Sequence, residues 1–122
     1  MALPLIFALD VVLVGVFATC GRGAHSEGLG AAQVWGTAWP FLIGLAAGWV
    51  VVLATRRDPA TVRSGVLLWV TTLVGGMAIR GLGDGRVPHW SFIMVAGVAT
   101  AVFLVGWRAV RAAVVRSRAG RG

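Results

Sequence analysis

Four long apolar stretches constrain this sequence more than any other feature. They cover about residues 3–20, 31–55, 64–79 and 89–107. Each is close to the length of about 20 residues that a helix needs to cross a bilayer. The segments between them are short and contain glycine, proline or charged residues, which places consecutive helices antiparallel. The sequence therefore predicts an all-α protein, an integral membrane four-helix bundle formed by residues 1–107.

The overall composition agrees with a bundle surrounded by lipid. Hydrophobic residues make up 58% of the 122 residues, and charged residues make up only 12%. A small water-soluble domain has a large surface relative to its volume and needs more polar side chains to cover it. The composition therefore excludes an ordinary soluble domain.

The distribution of arginine predicts the orientation of the bundle. Eight of the eleven cationic residues, all arginines, lie in the second connection or in the C-terminal segment 108–122. Cationic segments stay on the cytoplasmic side of a membrane. We therefore expect both termini to be cytoplasmic, in the inner membrane of a bacterial cell.

The C-terminal segment 108–122 is predicted to be a basic cytoplasmic tail. Arginines beside a membrane helix are attracted to anionic lipids, so the tail is expected to lie on the membrane surface. Its lipid-contacting residues would be Arg108, Arg111, Arg116, Arg118 and Arg121. The role of these arginines in fixing the orientation of the bundle already accounts for the positive charge of the tail, so we do not expect nucleic acid as a partner.

Small residues recur every four positions in the second apolar stretch. They are Gly36, Pro40, Gly44 and Gly48. This spacing places them on one face of a helix, and small residues allow helices in lipid to approach closely. We expect this face to point into the bundle.

Asp10 interrupts the first apolar stretch and needs a partner. A carboxylate near the bilayer centre costs roughly 2.5–3.5 kcal/mol on insertion scales, and such residues usually face the bundle interior. Residues predicted at a similar depth carry hydroxyl or indole donors. They are Trp49, Thr71, Thr72 and Thr100. We expect these groups to form a hydrogen-bonded layer around the carboxylate.

Arg80 is the obvious cation to consider, but its predicted depth separates it from Asp10. The two differ by roughly 13 Å along the membrane normal at a rise of 1.5 Å per residue. Because Pro40 removes one helical hydrogen bond, the Gly36 carbonyl is left free near the level of Arg80. Arg80 is therefore expected either to bond that carbonyl or to extend towards the outer headgroups.

Metal-ligand and cofactor-binding patterns are not apparent. His25, Glu27 and His89 lie in loops without a spacing typical of a metal site. The sequence offers no set of nucleophile and base either. We expect no cofactor, no metal and no enzymatic activity.

Four stretches of the sequence carry a resemblance to known proteins: "ALDVVLVGVFATCGRGAHSEG", "GTAWPFLIGLAAGWV", "GMAIRGLGDG" and "SFIMVAGVATAVFLVGWRAV". They resemble a family of small bacterial membrane proteins, domain of unknown function 3054. The more specific features within them are Asp10, the residues 37–41 (TAWPF) and the residues 106–108 (GWR). The resemblance implies a topology and supplies no activity.

Two functions remain open for such a bundle. The first is a non-enzymatic structural or accessory component of a bacterial inner-membrane assembly, as a homo-oligomer or bound to another membrane protein, with Asp10 as a structural contact. The alternative is a small oligomeric transporter that couples proton transfer at Asp10 to transport, because intramembrane carboxylates often carry protons or bind cations. The small multidrug-resistance transporters share this outline of four helices with an acid in the first, but not the other sequence features.

Overall fold

The computed structural model describes residues 2–24, 30–85 and 90–121 and contains four helices in these ranges. The helices are α1 (Leu3–Ala24), α2 (Ala31–Ala54), α3 (Val62–Asp84) and α4 (Trp90–Arg121). The prediction of an all-α chain with four helices is confirmed. The main difference lies at the C-terminus, where α4 extends well beyond the predicted end at residue 107.

Each helix contains a segment that is long and apolar enough to cross a membrane. The four segments are Leu3–Cys20, Val34–Ala54, Val62–Gly83 and Trp90–Gly120. Valines on the outward faces of the helices are largely exposed, for example Val74 and Val98. Lipid tails, rather than water, suit such a surface. Four apolar helices of this kind indicate a multi-pass membrane protein.

The helices form a ring in chain order. α1 packs against α2 and α4, and α3 packs against the same two helices. Ring contacts give the direction of α1 relative to α2: Phe7 lies edge-on to Trp49 at 5.3 Å between centroids, and Phe17 lies edge-on to Phe41 at 5.2 Å. The contact positions run in opposite senses along the two helices, so α1 and α2 are antiparallel, as predicted.

Glycines bring α2 and α3 into very close contact. A Cβ atom built on Gly44 would lie 2.6 Å from the Thr71 carbonyl oxygen, and one built on Gly75 would lie 2.8 Å from the Cα of Gly44. Nothing lies within 4 Å of a Cβ built on Gly36, which is exposed. The predicted packing face is therefore correct for Pro40, Gly44 and Gly48, which are buried, and wrong for Gly36.

The connection between α2 and α3 has a defined conformation. At the end of α2 the Arg57 N–H donates to the Val52 carbonyl at 3.0 Å, and the Arg56 N–H donates to the Leu53 carbonyl at 3.1 Å. This is the Schellman pattern, in which Arg56 adopts a φ of 58° where glycine is usual. The following residues, Pro59 and Ala60, are buried. The connection thus folds back over the end of the bundle.

α3 begins with a capped turn. Thr61 has an extended conformation, and its hydroxyl accepts a hydrogen bond from the Ser64 N–H at 3.2 Å. The Ser64 hydroxyl donates to the Asp58 carbonyl at 2.6 Å. These bonds satisfy a donor of the first helical turn and fix the connection to the helix.

α4 is continuous across the predicted boundary between bundle and tail. Its 32 residues correspond to about 48 Å at 1.5 Å per residue, against a hydrocarbon core of about 30 Å. Its last 13 residues follow Arg108, and from Ala113 to Gly120 they are exposed. The predicted tail is therefore the end of a helix that extends past the rest of the bundle.

Candidate functional site

A buried ion pair joins α1 to α4. Asp10 and Arg108 are both 0% exposed, and the guanidinium and carboxylate face each other with two parallel hydrogen bonds. Arg108 Nη1 donates to Asp10 Oδ1 at 2.9 Å, and Nη2 donates to Oδ2 at 2.7 Å. This bidentate geometry is among the strongest forms of charge-assisted hydrogen bonding between side chains.

Two tryptophans complete the hydrogen bonding of the carboxylate. Trp49 Nε1 on α2 donates to Oδ2 at 3.0 Å, and Trp107 Nε1 on α4 donates to Oδ1 at 3.0 Å. Each carboxylate oxygen therefore accepts two hydrogen bonds. A buried carboxylate without water needs such donors, because an unsatisfied charge in an apolar interior is very costly.

The guanidinium is bonded on its other edges as well. Arg108 Nε donates to the Pro59 carbonyl at 2.8 Å, and Nη1 also donates to the Leu104 carbonyl at 2.9 Å. The ring of Trp107 lies 4.4 Å from Cζ, within the range of a cation–π contact. A Cβ atom on Gly65 would lie 2.6 Å from Cδ of Arg108, so the absence of a side chain there leaves space for the arginine.

All four helices and the α2–α3 connection meet at this site. α1 supplies the carboxylate, α2 supplies one indole, the connection supplies the Pro59 carbonyl, α3 supplies the space at Gly65, and α4 supplies Arg108 and Trp107. We call these groups the ion-pair site: Asp10, Trp49, Pro59, Gly65, Trp107 and Arg108. Burial makes such a pair expensive to break, because removal of either partner leaves an isolated charge in the interior. The arrangement is suited to holding the helices in one register.

The donors predicted around Asp10 are partly confirmed. Trp49 reaches the carboxylate as expected, but the threonine hydroxyls do not. Thr71 bonds the Leu68 carbonyl at 3.1 Å, and Thr100 bonds the Ala96 carbonyl at 2.5 Å. Short hydroxyl side chains readily bond carbonyls of their own helix in this way. Thr72 Oγ1 is buried and has no hydrogen-bond partner among the described residues.

Arg80 lies away from the ion-pair site, as its predicted depth indicated. It is partly buried, and its Cζ lies 5.0 Å from the centroid of the Phe92 ring. Within the described ranges no hydrogen bond joins it to Gly36. The aromatic ring of α4 therefore takes the place of the predicted carbonyl partner.

Arg108 was expected to contact lipid, and this prediction is wrong. Its position directly after the fourth apolar stretch resembles that of a surface cation, but the helix continues and turns the side chain inwards. A usable signal was present: an intramembrane carboxylate needs a cation, and "GWR" places one at the end of an apolar stretch. Pro59 and Gly65 carried no comparable signal.

The other predicted tail residues are more exposed. Arg111 is half-buried, whereas Arg116 and Arg118 are exposed. The side chain of Arg121 lies outside the part that the structure describes. The same holds for His25, Glu27 and His89, which were considered as metal ligands. In residues 2–24, 30–85 and 90–121, no group of three histidine, cysteine, aspartate or glutamate side chains could hold a metal ion.

Comparison with known proteins gives a family and no relative of known activity. No curated protein and no solved structure matches the chain. A family model described as "Protein of unknown function (DUF3054)" matches residues 7–111. This range includes every residue of the ion-pair site and nearly all of the bundle. The chain therefore belongs to the DUF3054 family.

Proposed function

We propose that this chain is a non-enzymatic membrane protein that serves as a structural or accessory component of a bacterial inner-membrane assembly. The observation that carries the proposal is the ion-pair site. Its carboxylate accepts four hydrogen bonds, and its guanidinium donates to a carboxylate and two main-chain carbonyls. Groups bonded this completely are suited to fixing a structure, because a reaction requires a group that can exchange partners.

The orientation proposed with this function places both termini in the cytoplasm. The arginine distribution supports it, since the connection after α2 and the end of α4 carry most of the positive charge. The exposed end of α4 would then extend beyond the membrane surface. There it offers a short basic helix to anionic lipid, to a second copy or to another membrane protein.

The transporter alternative receives less support from the same geometry. A carboxylate that carries a proton through a transport cycle must lose and regain contact with water or substrate. Asp10 is instead held by an arginine and two indoles, and it is fully buried. Movement of a proton through it would require the ion pair to separate.

Reconstitution into vesicles tests the choice between these functions. We would measure proton uptake with a pH-sensitive dye inside the vesicles, with and without a gradient of cationic substrates. The expected result is no flux above that of empty vesicles. In parallel, native gel electrophoresis of mild-detergent extracts is expected to show the protein in a complex well above its mass of 12.7 kDa.

The matched control is the double variant Asp10→Asn with Arg108→Gln, which removes both charges and keeps a polar side chain at each position. Wild-type proton flux that disappears in a folded double variant would establish the transporter instead. A protein that runs only as a free monomer in every extract would also contradict the proposed function.

A further inference from the structure

An apolar crevice opens between α1 and α2 at the end of the bundle that carries the α2–α3 connection. Its volume is about 380 Å³. Residues from the first turns of α1 and the last turns of α2 line it, among them Leu3, Pro4, Phe7, Ala46, Trp49 and Leu53. Leu3 and Leu53 lie close to helix ends, whereas Ala46 lies two turns deeper. The crevice therefore runs from the rim of the bundle towards the hydrocarbon interior.

Its size and surroundings fit one lipid tail. A group of the size of a water molecule occupies about 30 Å³, so a crevice of about 380 Å³ has room for roughly a dozen groups of that size. The side chains beside it, such as Val50 at 66% exposed and Leu3 at 47% exposed, face the membrane. A hydrocarbon chain is the surrounding solvent at this depth and enters without desolvation of polar groups.

Two arginines lie directly beyond the crevice in the sequence. Arg56 and Arg57 follow Leu53, both are exposed, and they begin the connection at the level where headgroups are expected. The only other acidic or basic group of the connection is Asp58, whose Oδ1 accepts a hydrogen bond from the Ala60 N–H at 2.9 Å, and Arg63 follows in the first turn of α3. The net charge of this edge is therefore positive.

The backbone at Arg56 gives an independent observation. Arg56 has a φ of 58°, a conformation that arginine rarely adopts and that glycine adopts freely. At the end of α3 the equivalent left-handed position is occupied by glycine, Gly85, with a φ of 70°. A side chain retained at a position that disfavours it indicates a use for that side chain. A cation at the headgroup level is suited to a phosphate group.

We propose that this crevice binds one anionic phospholipid, with an acyl chain between α1 and α2 and the phosphate at Arg56 and Arg57. This inference goes beyond the proposed structural function and does not depend on it. Trp49 links the two, because its ring lines the crevice while its N–H bonds Asp10. An acyl chain against the ring would hold the indole in the position that the ion pair requires.

Native mass spectrometry of the protein in mixed micelles tests the proposal. The probes are phosphatidylglycerol and phosphatidylcholine with identical acyl chains, titrated separately. The wild type is expected to prefer the anionic lipid. Arg56→Gln with Arg57→Gln is expected to reduce this preference about 25-fold, or about five-fold per arginine. The control, Arg22→Gln with Arg80→Gln, removes the same charge near the C-terminal ends of α1 and α3, at the opposite end of the bundle, and is expected to leave the preference unchanged.

A second pair of variants tests the crevice itself. Ala46→Phe fills it, and binding of both lipids is expected to fall at least ten-fold. Ala47→Phe adds the same bulk at an exposed neighbour that does not line the crevice, and binding is expected to persist. Equal loss from both arginine pairs, or unchanged binding in folded Ala46→Phe, would overturn the proposal. Conversion of a dimer to a monomer by Ala46→Phe, without loss of bound lipid, would show that a second copy occupies the crevice instead.

Discussion

The ion-pair site makes a quantitative prediction about coupling between Asp10 and Arg108. Asp10→Asn removes the negative charge and leaves a buried guanidinium with only carbonyl partners. Arg108→Gln leaves a buried carboxylate with two indole donors. Either change is expected to cost about 3–5 kcal/mol of unfolding free energy, because one charge remains in the interior without its partner.

The double variant is expected to cost much less than both single variants together. It leaves no uncompensated charge and loses two or three hydrogen bonds, at about 1 kcal/mol each. With singles at the lower end of their range, the coupling free energy between the two positions is about 3 kcal/mol. A coupling of this size is typical of residues in direct contact within one bonded network.

Unfolding in dodecyl maltoside micelles by added sodium dodecyl sulfate provides the assay. Tryptophan fluorescence reports the transition, since Trp49 and Trp107 both contact the site. The pair Thr55→Ala and Arg63→Gln, at exposed positions, serves as a control cycle with little expected coupling. Single variants that each cost under about 1 kcal/mol and add without coupling would refute the reasoning, because the ion pair would then contribute nothing to holding α1 against α4.

Three further predictions follow from other contacts. Gly44→Ala is expected to destabilise the bundle by about 1–3 kcal/mol, because the new Cβ atom would meet the backbone of α3. Gly36→Ala, where no atom lies within 4 Å of the new Cβ, is expected to be neutral or slightly stabilising in the same unfolding assay. Trp49→Phe removes one donor to a charged group and is expected to lower the unfolding free energy by about 1.5–3 kcal/mol. Its control, Trp35→Phe at an exposed position, is expected to have no measurable effect. Equal losses in the two variants would contradict the hydrogen bond from Trp49 to Asp10. Arg56→Gly is expected to raise the unfolding free energy by about 0.5–1 kcal/mol, since glycine adopts a positive φ freely. Gly85→Ala, at the left-handed position after α3, is expected to lower it. A loss of stability in Arg56→Gly would mean that the arginine side chain makes a stabilising contact.

Much of the fold could be predicted from the sequence because the lipid environment imposes simple rules. A helix that crosses hydrocarbon must be long and apolar, and the four stretches met this condition clearly. Their ends were less predictable. α4 continues to Arg121 because alanines and valines follow Arg108 and nothing in the chain ends the helix there.

The site was harder to predict than the fold. Asp10 was evident as a buried carboxylate, and Trp49 could be placed near it from depth alone. For Arg108 the sequence offered one signal, a cation at the end of an apolar stretch in a chain with an intramembrane carboxylate, but its burial depends on which way α4 turns at that point. The Pro59 carbonyl depends on a connection that folds inwards, and no pattern in the sequence specifies that fold.

The ion pair joins residues that are synthesised at widely separated times. Asp10 and Arg108 are 98 residues apart, so the carboxylate is synthesised long before its partner. At a synthesis rate of about 5–20 residues per second, roughly 5–20 seconds pass between the addition of Asp10 and the addition of Arg108. During that interval the nascent chain carries an unpaired aspartate in an otherwise apolar helix. The insertion of α4 thus supplies the cation for Asp10, and a chain interrupted before residue 108 keeps an intramembrane carboxylate without its charge partner.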